Sequence, residues 1–299
     1  MLHLVLIVTT PPFFLGVIAK TKAFLAGRKG PPLLQIYYDL LRLFRKGTVY
    51  SRSSSILLRL APVMIVASIF SSSLLVPLLK TAPIRFEGDL ILFAYLLGLV
   101  RFMTILAAMD VGSSFEGMGA SREASLGALT ELAFFLGLVA LSAMTRSTSL
   151  TAIFEWEGGH PFWNPALLIL FATFSLILLT ENSRMPIDDP TTHLELTMIH
   201  EVMILDYSGP DLALILYGAS MKLFLFMAFT SSLLWPPTTA NIWMGGGWLI
   251  LKVTGMSIAI GLIESANARL RLIKIPQLLV ANFVAAALGL AIILIGRGV

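Results

Sequence analysis

Eight apolar stretches, each close to bilayer-spanning length, recur along this 299-residue chain and limit what it can fold into. They cover residues 2–25, 60–79, 90–109, 126–144, 162–180, 212–234, 248–263 and 278–295. A spanning helix needs about 20 largely apolar residues. In lipid, a single segment can satisfy its own backbone hydrogen bonds only as a helix. Charged residues make up 13% and hydrophobic residues 57% of the chain, against roughly 25% charged in a soluble domain. A soluble fold of this length cannot hide that much apolar surface. The expected fold is all-α and integral to the membrane: eight transmembrane helices in a single domain, 1–299. Pro11-Pro12 should kink the first stretch. The seventh is short and flanked by glycines. No basic residue precedes the first apolar run and Lys20 and Lys22 follow it, so it reads as a first span rather than a cleavable signal.

The cations fix the expected orientation. Fourteen of the 21 lysines and arginines fall in four loops, about 26–59, 110–125, 181–211 and 264–277, or at the helix ends that border them. Four lie on the opposite side (Lys80, Arg85, Arg146 and Arg297), and three (Arg101, Lys222 and Lys252) lie within spans. Cytoplasmic loops carry the excess of Lys and Arg. The chain is therefore expected in the inner (cytoplasmic) cell membrane, multi-pass, with both termini outside. Loop cations also account for the net charge of +4, so membrane lipid and not nucleic acid is the expected contact. In the first loop, Leu33, Ile36, Tyr37, Leu40, Leu41 and Phe44 recur at helical spacing while Asp39, Arg42 and Arg45 fall on other faces. That pattern predicts an amphipathic helix lying in the interface.

Charges inside spans cost about 2.5 kcal/mol or more at the bilayer centre unless paired or hydrated. Arg101 and Lys252 read as halves of buried ion pairs that fix helix packing. Glu131 lies in the fourth stretch, with Asp110, Glu116 and Glu123 close in sequence. A proton relay needs several carboxylates along one wet path, which these could supply, with Lys222 as a counter-charge. The segment 181–209 gathers Glu181, Asp188, Glu195, Glu201 and Asp206 with His193, His200 and Arg184. Such a cluster at a membrane boundary handles protons or ions, or docks a soluble partner. His193 and His200 lack a third strong ligand, so no metal site is expected. With no cysteine the chain offers no thiolate to an iron–sulfur cluster. No glycine loop stands in a nucleotide-binding context, and no serine has a paired His and Asp, so no catalytic residue is expected.

Four separated motifs share one resemblance. They are G-R-K-G-P-P-L-L-Q-I-Y-Y-D-L-L-R-L at 27–43, M-D-V-G-S-S-F-E-G-M-G-A-S-R-E at 109–123, the acidic loop with Glu181, Arg184, Pro186, Asp188, Pro190 and Glu195 closed by Tyr207-Ser208-Gly209, and E-S-A-N-A-R-L-R at 264–271. Together they resemble the complex I subunit that closes the quinone chamber. They are still more similar to its hydrogenase branch, the membrane subunits of formate hydrogenlyase and hydrogenase-4. Arg122 and Glu131 keep the family's nine-residue separation.

The resemblance implies a membrane subunit of a redox-driven proton- or sodium-translocating hydrogenase or hydrogenase-related complex. The subunit itself carries no redox centre. NiFe-type and iron–sulfur centres are expected in partners: a hydrogenase-like large subunit and an iron–sulfur small subunit, with antiporter-like membrane subunits alongside. The ion path implied runs through Asp110, Glu116, Glu123, Glu131, Glu181, Asp188, Glu195, Glu201, Asp206 and Lys222. Arg28, Gln35, Asp39, Arg122, Arg184 and Tyr207 are implied at the interface with the electron-transfer module. Two departures stand out: Thr191 and His193 replace acidic residues, and the stretch from Glu195 to Tyr207 is lengthened. A quinone-sized cavity is therefore expected to be absent or reshaped. The alternative within the fold is the quinone-chamber subunit of a complex I-like NADH or ferredoxin:quinone dehydrogenase. A stand-alone ion transporter is the remote alternative, and it lacks the expected repeat symmetry and broken helix pairs.

Overall fold

The computed structural model describes residues 2–51, 53–157, 164–188, 199–237, 241–268 and 270–296, and among these no strand occurs. Eleven α-helices follow in order: α1 Leu2–Thr9, α2 Pro11–Leu25, α3 Gln35–Phe44, α4 Ile56–Leu75, α5 Asp89–Asp110, α6 Ser114–Thr145, α7 Leu150–Glu157, α8 Pro165–Glu181, α9 Gly209–Leu234, α10 Ile242–Ala266 and α11 Ile275–Ile295. Short 3-10 turns, Glu201–Ile204 and Leu272–Lys274, precede α9 and α11.

Six helices (α4, α5, α6, α9, α10 and α11) are long and apolar enough to cross a membrane, and α1 with α2 makes a seventh if read as one span. That pair bends by 47°. The cause is local: Pro11 and Pro12 have no backbone N–H to continue the ladder. α8 is shorter at 17 residues, and residues 158–163 before it lie outside the described set.

Several boundaries differ from expectation. α4 starts at Ile56 rather than 60, because the Ser55 hydroxyl accepts from Leu57 N–H (3.2 Å) and caps it. It stops at Leu75, just before Pro77. α10 spans 25 residues and takes in the glycines that mark the seventh stretch as short; Asn241 caps it through Trp243 N–H (3.1 Å). The largest correction is α6, a 32-residue helix that begins at Ser114, not 126. Polar residues 114–125 are therefore helix rather than loop, since hydropathy stops at polar side chains and helix geometry does not. Gly119 allows the Glu201–Ile204 turn to approach: a Cβ there would meet Ile199 O at 3.0 Å. α7 was not expected. Its first turn is held by Asp89, fully buried, which accepts from Leu150 N–H (2.6 Å) and the Ser149 hydroxyl (3.1 Å).

α9 is the hub, packing on α2, α3, α4, α8 and α10. Some 67% of its most apolar window is buried, against 28% for α11, as expected of a helix that is apolar all round. Phenylalanines lock it in place. Phe224 stacks on Phe14 and Phe229 on Phe93, both at 5.5 Å between centroids, and Phe174 meets Phe229 edge-on at 5.2 Å. α3 forms in the first loop with Leu40 buried and Leu41 and Phe44 exposed. Gly209 joins this loop to α9. Its φ of +55° is left-handed, and a Cβ there would stand 2.5 Å from Gly47 O.

Candidate functional site

Three helices bring one charge each, and α6 two, to a common centre. Arg101, midway along α5 and 8% exposed, spreads its guanidinium among three carboxylates. One terminal nitrogen (Nη1) donates to Glu131 of α6 (2.5 Å) and to Gly127 O (3.0 Å). The other (Nη2) donates to Glu181, the last residue of α8. Its Nε lies 3.4 Å from Glu123 of α6. Gly127 makes room for this, since a Cβ would sit 2.8 Å from Arg101 Nε. Lys222 of α9 donates to the Glu181 carboxylate (2.7 Å) and to its main-chain carbonyl (2.8 Å). The second bond satisfies a carbonyl that the end of α8 leaves open, where a cation is also favoured.

Around this centre lie three further carboxylate clusters. Asp188, 3% exposed, accepts from the N–H groups of Ile199 (3.1 Å) and His200 (3.3 Å). Burial pushes the His200 imidazole below its usual pKa; Glu123 and Asp188 oppose that shift and Lys222 adds to it. Glu264, at the end of α10, takes Lys22 (2.9 Å) and Arg184 (3.3 Å). Glu116, 1% exposed, accepts from Asp206 N–H (3.2 Å), and Asp110 accepts from Ser55 N–H (2.7 Å). Burial, then the charges of Asp211, Glu116 and Asp110 with Tyr50 beside them, hold the Tyr207 phenol above its ordinary pKa.

A cavity of about 310 Å³ reaches the centre. Arg101, Glu123, Glu181 and Lys222 stand in its wall with Asp188, His200, Glu201 and Asp39, and aliphatic side chains such as Leu15, Ile69 and Leu216 line the rest. A second space, about 100 Å³, lies on the flank between α5 and α6 beside Tyr95, Phe135 and Glu131. The Glu131 side chain is 40% exposed there. Among the described residues, no group of three His, Asp or Glu is close enough to hold a metal ion.

A profile of the NADH dehydrogenase family matches residues 1–295. The chain belongs to that family, the family of complex I subunit 1. Among curated relatives it is 33% identical to hydrogenase-4 component C of Escherichia coli K12, over 73% of this chain and 69% of that protein. It is 30% identical to formate hydrogenlyase subunit 4 of the same organism, over 91% and 90%. In fold it is similar to a chain of the membrane-bound sulfane sulfur reductase, an archaeal respiratory membrane complex. The TM-score is 0.87 at 19% identity, covering 98% of this chain and 97% of that one. This member of the NADH dehydrogenase family is a membrane-embedded, multi-pass protein.

Within this NADH dehydrogenase fold, the residues singled out from sequence divide by position. Glu123, Glu131, Glu181 and Lys222 meet at Arg101; Asp188 and Glu201 line the cavity beside them. Asp110 and Glu116 stand apart, near Tyr207. The Asp206 side chain is exposed and only its N–H reaches Glu116. Thr191, His193 and Glu195 lie outside the described residues. Of the expected interface residues, Arg28 is exposed, Gln35 donates to Asp39 (3.1 Å) and Arg122 reaches Met118 Sδ (3.2 Å). Arg184 and Tyr207 turn into the chain instead.

Sequence reading gave Arg101 only a packing role and left Lys22 and Glu264 out of the site. A mid-span arginine was the available signal, and its three partners are spread over helices that only the fold brings together. Lys252 departs from expectation as well. It donates to Trp235 O (2.7 Å) and the Ser232 hydroxyl (3.2 Å) rather than to a carboxylate.

Proposed function

We propose that this chain is the membrane subunit of a redox-driven, ion-translocating hydrogenase or hydrogenase-related complex, and that it forms the first part of the ion-coupling path. The observation that carries this is the Arg101 centre: three carboxylates and a lysine from three further helices, open to one cavity below and to a flank space at Glu131. Buried charges inside a membrane protein mark ion and proton paths. Glu123, Glu131, Glu181, Asp188 and Lys222 are its core, joined by Glu201 in the cavity wall and, in this reading, by Glu195 and Asp206. The chain acts as one domain with eight spans, counting α1–α2 as one and α8 as another, and α3 lies in the interface.

In this reading the chain sits in the inner membrane with both termini outside. Arg28, Gln35, Asp39 and Arg122 face a hydrogenase-like large subunit and an iron–sulfur small subunit, whose NiFe-type and iron–sulfur centres carry the electrons. Antiporter-like subunits adjoin the flank at Glu131. Single cysteines at Ser53 and Ser183, introduced into this cysteine-free chain, should resist an impermeant thiol reagent applied outside intact cells. Labelling of either would reverse the orientation.

The cavity favours a second reading, a quinone-chamber subunit, because its aliphatic walls suit an isoprenoid tail and its charged end suits a headgroup. The hydrogenase reading predicts that the purified complex passes electrons to protons or soluble carriers without added quinone. Turnover that requires quinone and changes with substitution of Gln35 or Asp39 would establish the second reading.

A further inference from the structure

α8 ends in a turn that ordinarily calls for glycine. Ser183 stands there with a φ of +48°, in the left-handed region. The Ser183 N–H donates to Thr180 O (3.1 Å) and the Arg184 N–H to Leu179 O (2.8 Å). This pair of bonds makes a Schellman C-cap, whose left-handed residue is usually glycine because a Cβ is unfavourable there. The turn continues through Arg184 O, which accepts from the N–H groups of Ile187 (3.0 Å) and Asp188 (3.4 Å). Glu181 of the Arg101 centre and Asp188 of the cavity wall are thus the two ends of one tight turn. With serine at its left-handed position, that turn depends on contacts from outside.

Those contacts come from α10, α2 and α9. The Glu264 side chain is fully buried, with one oxygen 3.3 Å from Arg184 Nη1 and the other 2.9 Å from Lys22 Nζ. A carboxylate so enclosed keeps its charge only beside opposite charges, and here it has two. Gly261 sets up the pairing. A Cβ there would stand 2.8 Å from Thr21 Cβ, so its absence lets α2 close on α10 beside Glu264. Farther along the same motif, the Leu270 N–H donates to Pro186 O (2.9 Å). The segment 264–271 therefore grips the turn twice, through the Arg184 side chain and through the Pro186 carbonyl. Lys222 holds the other end by donating to Glu181 O (2.8 Å).

We propose that Glu264 is a positioning residue: paired with Lys22, it clamps Arg184 and so keeps the turn 182–188 in the shape that sets Glu181 and Asp188 in the ion path. This deepens the proposed function and rests on it. Glu264 acts through Arg184 and carries no ion itself. The clamp offsets the left-handed conformation at Ser183, which the turn would otherwise relax by swinging Arg184 and Asp188 away from the end of α8. It also gives the E-S-A-N-A-R-L-R motif a part in the site, although Glu264 touches none of the charges around Arg101.

A suppressor experiment on the assembled complex in proteoliposomes tests this. Glu264→Gln should lower the protons translocated per electron roughly fivefold or more, because the left-handed cost at Ser183 is no longer offset, while electron transfer with an uncoupler continues. Adding Ser183→Gly should restore most of the ratio, since glycine adopts that φ freely; Ser183→Gly alone is the reference. Glu264→Asp keeps the charge but is too short to serve both cations. It should show a smaller fall with the same rescue, and it decides the matter if the glutamine variant does not assemble. A carboxylate that only ties α10 to α2 would gain nothing from a glycine in the α8 turn. Native ratios in the assembled Glu264 variants, or a fall that Ser183→Gly leaves unchanged, would overturn the proposal. Glu131→Gln, measured in parallel, separates the two readings. If it abolishes translocation while the Glu264 variants stay native, only the clamp falls; if it translocates as native, the function on which the clamp rests falls.

Discussion

Arg101→Gln is expected to destabilise the chain by about 3–5 kcal/mol, the usual loss when one partner of a buried charge cluster is removed. One guanidinium serves Glu123, Glu131 and Glu181 from two other helices and also the Gly127 carbonyl. Glutamine keeps some hydrogen bonding but removes the cation that the three carboxylates share, leaving Lys222 paired with Glu181. Arg101→Lys should fall between, because a single ammonium cannot span the same fan of acceptors. The thermal midpoint and yield of the detergent-solubilised complex report this order. A native midpoint in Arg101→Gln would mean that the centre does not hold α5, α6 and α8 together.

Glu131→Gln should behave in the opposite way, sparing the fold and stopping the ions. The Glu131 side chain is 40% exposed and pairs with Arg101, which keeps Glu123 and Glu181 as further partners, so the fold should survive its loss. A glutamine of nearly the same shape can still accept from Arg101 through its amide oxygen. What it cannot do is bind and release a proton. As the carboxylate between Arg101 and the flank space, Glu131 is the step toward neighbouring subunits, and removing a positioned acid–base group lowers rates about 10²–10⁴-fold. Assembly should match native on a non-denaturing gel. Failure to assemble would make Glu131 a structural residue.

Six of the spans were legible because lipid demands apolar length, and the site was legible only in its parts. Glu123, Glu131, Glu181 and Lys222 are each conspicuous as charges in apolar sequence, yet nothing local says that Arg101 joins them, since the contacts lie 30 and 80 residues apart for Glu131 and Glu181. The early start of α6 escaped a hydropathy reading for a similar reason. Glu116 and Glu123 are polar, and the turn that covers this face arrives from residues 201–204. Asp89 shows the same limit: its role depends on Ser149 and Leu150, 60 and 61 residues away. The residues that line the cavity come from separate helices and loops, among them Leu15, Ile69, Arg101 and Lys222, which no local pattern in the sequence groups together.

The account's central claim is that redox work done in partner subunits moves ions through this chain's buried charges. The measurement that bears on it most directly is the number of protons translocated per electron, in proteoliposomes carrying the native or the Glu131→Gln complex. The expected result is a ratio near zero in Glu131→Gln, with electron transfer retained and no longer stimulated by an uncoupler. A native ratio in the substituted complex would contradict the account.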